Sequence, residues 1–234
     1  MKKIFLLLFL PSLLGEGFGL RSYAQKLEPT EKEALLSVSV INEKNKPQIG
    51  EQVMFESIKT KKVFSGVTKE GGKFDILVPT GDKYNVKYKT LTSDEEYTVL
   101  DVPYKKGELL SFEVSIQFEL PKKYTLDNVL FDSGKATLRP ESSKELNELA
   151  EYMKLKTTLV IEIAGHTDNV GNADANLKLS QDRANTVRDY LIKKGIAENR
   201  VQAKGYGDTQ PLAPNDTDKG KQKNRRTEVR VVKE

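Results

Sequence analysis

The sequence predicts a multidomain chain. An all-β antiparallel sandwich spans residues 36–120, and an α/β domain of order β-α-β-α-β-β spans residues 121–234, its mixed sheet covered by helices on one face. Between Leu36 and Leu120, apolar residues alternate in short runs separated by turn residues, with hardly any helical period. From Tyr124 onward, β-type runs alternate with segments whose apolar residues recur at helical spacing. Pro121-Lys122-Lys123 interrupts the chain where the first pattern gives way to the second.

A leader is expected before both domains. Lys2 and Lys3 precede the apolar run Ile4–Leu10, Pro11–Leu14 extends it, and Ser22-Tyr23-Ala24 places small residues at −3 and −1 of a cut before Gln25. Residues 1–24 therefore read as a secretory signal peptide and residues 25–35 as a polar lead-in. The apolar run falls short of the ~18–20 residues that cross a bilayer. The 234 residues suit two modest domains, at roughly 100–150 residues each. Charged residues make up 31% and apolar residues 37%, which describes a well-solvated chain. Of the net charge of +4, the leader's Lys2, Lys3, Arg21 and Glu16 contribute +2. So weak a balance builds neither a nucleic-acid stripe nor a polybasic membrane anchor. With no Cys there are no disulfides and no thiolate ligands, and a single His does not furnish a zinc site. No metal or cofactor is expected.

The first domain reads as strands at Leu36–Ile41, Glu51–Ser57, Lys62–Thr68, Lys73–Pro79, Tyr84–Thr90, Glu96–Pro103 and Leu109–Leu120. Turn chemistry separates them at Asn42–Pro47, Glu70–Gly72 and Thr80–Lys83. Pro47 and Gly50, then Thr68, Gly72 and Phe74, then Val78-Pro79-x-Gly81-x-x-Tyr84 resemble the carboxypeptidase-regulatory-like, transthyretin-type sandwich modules. The resemblance implies a spacer or a loop-presenting adhesive module. No nucleophile with a base and no acid pair stands out here.

In the second domain Tyr124–Asp132 reads as a strand. Pro140 can take an early helix position, and Leu146, Leu149, Ala150 and Met153 give the first helix its apolar face. Leu159–Ala164 is the next strand, and a second helix starts near Asn172–Asp174 and ends at Gly195. Leu177, Ala184, Val187 and Leu191 form its expected apolar stripe. Asn176, Leu179 and Arg183 share a second face, open to a ligand. Arg200–Gly207 reads as a strand, Asp208–Gln222 as a polar loop, and Thr227–Lys233 as the last strand.

The stretch Gly165–Arg183 organises this domain. A strand end feeding a polar turn and a helix start is suited to charged ligands, because the first N–H groups of the helix are unpaired. Asp168 on the turn and Arg183 on the helix read as two halves of a site for a zwitterion. Taken alone, the pair could equally be a surface ion pair. His166, at a strand end, reads as a structural residue satisfied by backbone partners.

Five motifs in order weigh for the site: F-D-S-G-x-A-x-L-x-P (Phe131–Pro140), G-H-T-D-x-x-G (Gly165–Gly171), N-x-x-L-S-x-x-R-A-x-x-V (Asn176–Val187), G-Y-G (Gly205–Gly207) and N-R-R-x-E (Asn224–Glu228). Together they resemble the peptidoglycan-binding domain of the OmpA, Pal and MotB family. Thr227 departs from the family's usual aliphatic residue, and the segment before the domain reads as neither the membrane barrel of OmpA nor the lipidated Cys of Pal. The resemblance implies non-catalytic binding of the peptidoglycan stem peptide, with diaminopimelate as its zwitterionic group. It casts Asp168 as acceptor of the ammonium and Arg183 as the fork for the carboxylate. Asp132, Asn176, Leu179, and Arg225 or Arg226 complete the walls. An exported protein of the periplasm or outer-membrane-associated envelope follows, anchored to peptidoglycan, with outer-membrane proteins as partners through the sandwich. The alternative is an adhesin or envelope assembly factor whose sandwich binds a protein or glycan.

Overall fold

The computed structural model describes residues 27–234, so the expected signal peptide and the first residues of the lead-in lie outside the described residues. The fold is mixed α/β, in two compact units: the described residues to Lys89 with Asp94–Glu119, and Thr90–Ser93 with Leu120–Glu234.

The first unit holds β1 (Glu33–Ile41), β2 (Gln52–Ser57), β3 (Val63–Val67), β4 (Lys73–Pro79), β5 (Asp82–Lys89), β6 (Asp94–Val102) and β7 (Ser111–Gln117). They form two sheets, β4-β1-β7 and β3-β2-β5-β6. β1 starts inside the expected lead-in, since its alternation already runs from Ala34, with Leu36, Val38 and Val40 buried behind it. One pairing departs from the antiparallel expectation: β1 and β7 run parallel, Leu35 opposite Ser111. Alternating burial is the same for either strand direction, so the pattern alone could not reveal this.

The motif residues of this unit serve its turns. The Thr68 hydroxyl accepts from the Glu51 N–H at 2.9 Å and donates to the Gln48 carbonyl at 2.7 Å. Gly72 has φ +67°, and a Cβ there would lie 2.8 Å from Val40 O. The buried Tyr84 donates its phenol proton to Pro79 O at 2.7 Å, closing the corner between β4 and β5.

The second unit has a sheet of order β10-β9-β11-β8, from β8 (Lys123–Leu126), β9 (Val160–Gly165), β10 (Val201–Gly205) and β11 (Thr227–Lys233). β9 and β10 are parallel, while β11 is antiparallel to both β9 and β8. Helices α1 (Ser143–Leu155) and α2 (Ala173–Lys193) pack on each other, and α2 lies along β9 and β10. Leu146, Leu149, Ala150 and Met153 are buried as their spacing predicts, with Ile161, Ile163 and Val229 of the sheet. β8 ends at Leu126, four residues in all, shorter than the expected run to Asp132. A short helix, α3 (Asp218–Asn224), stands in the expected polar loop, capped by Thr217, whose hydroxyl accepts from the Gly220 N–H at 3.0 Å.

The stripe of α2 differs from the expectation. Leu177 is 49% exposed, and the buried positions are Asn176, Ser180, Ala184, Val187 and Leu191. The reason lies in the strand ends beneath. A Cβ at Gly165 would meet Ser180 O at 2.3 Å, and one at Gly205 would meet Gln181 N at 2.4 Å. At so close an approach the helix has no room for a leucine. It carries Ser180 instead, whose hydroxyl donates to Leu177 O and accepts from the Gly207 N–H, at 2.8 and 2.9 Å.

Between β11 and its neighbours lies a buried charge cluster. Glu228 is inaccessible and accepts from Arg226 at 2.6 Å, Lys123 at 2.8 Å and Arg230 at 2.9 Å. His166 places Nε2 3.4 Å from Glu228 and stacks on Tyr206, ring centroids 5.3 Å apart. Burial by itself would raise the Glu228 carboxyl, but hydrogen bonds from His166, Lys123, Arg226 and Arg230 outweigh it and hold the group far below the usual carboxylate range. Burial pushes the His166 imidazole below its ordinary value, against the opposing pull of Glu228.

Two predictions follow from this packing. Gly165→Ala forces α2 off the sheet against a backbone oxygen and is expected to lower stability by about 1–3 kcal/mol, read by urea denaturation. Acid is expected to destabilise the fold through both buried groups. In each case the unfolded chain takes up a proton that the folded chain resists, His166 below pH ~6.5 and Glu228 below ~4.3. The thermal midpoint should therefore fall as pH drops from about 7 to about 4, and His166→Gln should flatten the upper part of that fall.

Candidate functional site

The site is assembled from three separate segments at one end of the second unit's sheet. The first is the loop leaving β9. Its backbone continues the bonding of the strands beside it: His166 N–H donates to Arg226 O at 3.0 Å, and Thr167 N–H to Gly207 O at 2.9 Å. Asp168 follows, 8% exposed, with Oδ1 accepting from the Val170 N–H at 3.1 Å. Asn172 caps α2, its Oδ1 accepting from the Ala175 N–H at 3.0 Å. One turn on, the buried Asn176 donates its amide to Asp168 O and Val170 O, at 3.3 and 3.0 Å. The helix thereby holds the loop that carries Asp168.

Arg183 lies two turns beyond Asn176 and is half-buried. Its Nε donates to Lys135 O at 3.0 Å, and its guanidinium sits 5.0 Å above the Phe131 ring centroid. Among the described residues no hydrogen bond or ion pair engages its two terminal nitrogens. Burial, and then the neighbouring Arg225, push the guanidinium below its ordinary value, while Asp168 opposes them. An arginine so placed keeps its proton in a protein.

The second segment, 131–139, is a tight loop closed by Asp132 N–H to Thr137 O at 3.0 Å and Arg139 N–H to Leu130 O at 2.9 Å. The third is the end of α3, where Arg225 donates one Nη to Asp168 Oδ2 and the other to Gln222 Oε1. A cavity of about 360 Å3 opens between the segments, with Phe131, Asp132, Arg139, Arg183, Gln222 and Arg225 in its lining. Asp132 is paired with Arg139 at 3.8 Å. Three guanidinium groups thus stand against two carboxylates, each carboxylate already engaged, and among the described residues Arg183 is the guanidinium without a carboxylate partner.

Of the residues singled out from sequence, Asp132, Arg183 and Arg225 line the cavity, and Asp168 joins it through Arg225. Asp168 pairs with Arg225 and not with Arg183, so the alternative of a direct Asp168–Arg183 surface ion pair is not what the structure holds. Asn176 works behind the loop, and Leu179 is half-buried on α2, outside the lining. Arg226 is turned away into the Glu228 cluster, 9% exposed, with its Nη2 on Gln210 O at 3.0 Å. Of the alternatives Arg225 and Arg226, only Arg225 reaches the cavity. Arg139 and Gln222 were missed. Gln222 lies in the helix that the loop reading passed over, although Thr217 followed by Asp218 was a legible helix start.

The model of the OmpA family matches residues 130–225. Outer membrane porin F of Pseudomonas fluorescens is 41% identical over 104 residues, which covers 44% of this chain and 32% of that protein. The Peptidoglycan-binding protein ArfA of Mycobacterium tuberculosis is 37% identical over 103 residues, 44% of this chain and 32% of its own length. A solved structure of the cell wall anchor of the T6SS from Pseudomonas aeruginosa is 34% identical, with a TM-score of 0.41, covering 48% of this chain and 80% of that one. The chain spans about a third of the length of these two curated relatives. The cavity segments Phe131–Arg139, Asp168–Arg183 and Gln222–Arg225 all fall within the matched range, and residues 130–225 form an OmpA family domain.

Proposed function

We propose that this domain binds peptidoglycan without catalysis, gripping the zwitterionic tip of a stem peptide, diaminopimelate in the first instance, and so anchors an exported protein or an envelope complex to the cell wall. The observation that carries the reading is Arg183. Its Nε is spent on Lys135 O and its plane on Phe131, so its position is set, and it lines the cavity with its two terminal nitrogens unpaired among the described residues. A guanidinium held this way can fork both oxygens of a carboxylate, which a lysine cannot do. The ammonium of the same tip is assigned to Asp168. The ArfA relative is named for peptidoglycan binding, which supports the wall-binding part of the reading.

Binding without chemistry suits these groups. Guanidinium groups give up no proton near neutral pH, and Asp132 and Asp168 are both held in ion pairs. His166 is 1% exposed and beyond the reach of a ligand. Residues 36–120 we read as a carboxypeptidase-regulatory-like sandwich that spaces the anchor from whatever the protein carries, outer-membrane proteins among the candidates. The two sheets, and the turn duties of Thr68, Gly72 and Tyr84, support that reading.

The test is retention on purified sacculi together with titration by diaminopimelate. A charge-assisted fork is worth about 1.5–3 kcal/mol, so Arg183→Ala is expected to weaken binding roughly 10- to 150-fold with the thermal midpoint little changed. Unchanged pelleting of a folded Arg183→Ala chain would remove the assignment.

A further inference from the structure

We propose that Arg225 is an internal competitor for Asp168, and that the site works as an ion exchanger selective for ligands bearing an ammonium and a carboxylate together. The inference rests on the assignment of Asp168 to the ligand's ammonium. That carboxylate is not free: Arg225 donates to its Oδ2 while the Val170 N–H holds its Oδ1. The Asp168 side chain is 11% exposed, so a second cation has little room beside the first. An ammonium must therefore displace Arg225 before it can bind.

Displacement has a direction built into it. Arg225 lies in the same cavity lining as Arg183, and their mutual repulsion is felt at Arg183. Pushed off Asp168 by a ligand that brings only positive charge, Arg225 gains no new acceptor. The carboxylate of the lining, Asp132, is paired with Arg139. A ligand that also brings a carboxylate supplies one, shared between Arg183 and the released Arg225. Ammonium-only groups are rejected because the exchange is incomplete, not because the pocket lacks an acid. Arg225 is built for such a swing: its side chain is 41% exposed, and it follows the last residue of α3 with its second nitrogen on the amide of Gln222.

The probe is 1,5-diaminopentane, which offers ammonium groups and no carboxylate, titrated into the full chain by following the backbone amide shifts of Asp168 and Val170. A partly exposed ion pair is worth up to about 1 kcal/mol, so Arg225→Gln is expected to raise diamine affinity by up to about fivefold. The same variant is expected to weaken diaminopimelate, having lost the guanidinium that receives its carboxylate. Arg188→Gln removes an equal charge from α2 outside the lining, where Arg188 pairs with Asp189, and should leave the diamine titration unchanged. Diamine affinity that is unchanged or lower in Arg225→Gln, or that rises equally in Arg188→Gln, overturns the proposal. Failure of the underlying assignment looks different: the wild-type chain then shows no shifts with diaminopimelate, and Arg183→Ala still pellets with sacculi.

Discussion

The contact on which the site depends is the bare approach of α2 to the ends of β9 and β10. At Gly165 and Gly205 no Cβ intervenes, and the backbone of Ser180 and Gln181 rests almost directly on the strands. That contact sets the height of the helix over the sheet. From it the polar face of α2 is distributed turn by turn: Asn176 into the loop before it, Ser180 onto Gly207, Arg183 outward to the Phe131 loop. A helix lifted by one methyl group would carry all three side chains with it. The glycines here act through space rather than through backbone freedom, since neither Gly165 nor Gly205 has a positive φ.

Charge is used in two opposed ways within a few residues of one another. At Glu228 it is buried, saturated with donors and closed to solvent, so that the start of β11 has one arrangement. Breaking such a cluster by removing one partner is expensive, because the other charges are left without compensation. At the cavity, charge is left unfinished: one guanidinium with open nitrogens and one carboxylate held by an exposed partner. Adjacent arginines mark the frontier. Arg226 goes inward to Glu228 and Arg225 outward to Asp168, so the rigid cluster positions the residue beside it.

Much of this was legible in the sequence, and what was not has identifiable causes. The α1 face, a start of α2 near Asn172–Asp174 and its end at Gly195 followed from spacing and end signals, and the structure puts the cap at Asn172. The stripe of α2 was misplaced at Leu177 because apolar periodicity assumes an apolar floor, and the floor here is glycine and backbone. The helix α3 was read as loop because it is short, polar and contains Gly220. That glycine is required by Pro214 O, 1.8 Å from where a Cβ would sit. The motif residues Asp168 and Arg183 could be named, but their relation could not. Which arginine meets Asp168 depends on how segments some 57 positions apart in the chain are brought together, and no spacing rule carries that information.

Under the proposed function, the same distance in sequence explains how the site would be both firm and selective. A pocket cut into one helix and one loop would share a single fate under any strain. This one draws its anion grip from a long helix packed on the sheet, its aromatic wall from the 131–139 loop and its competing cation from the end of a short helix. The anion grip is braced by two neighbours and need not move. The competing cation is braced only by an exposed glutamine and by the acid it guards. On that proposal, strength of binding and choice of ligand are lodged in different elements, Arg183 on the one and Arg225 on the other, which lets either be altered while the fold beneath them is kept.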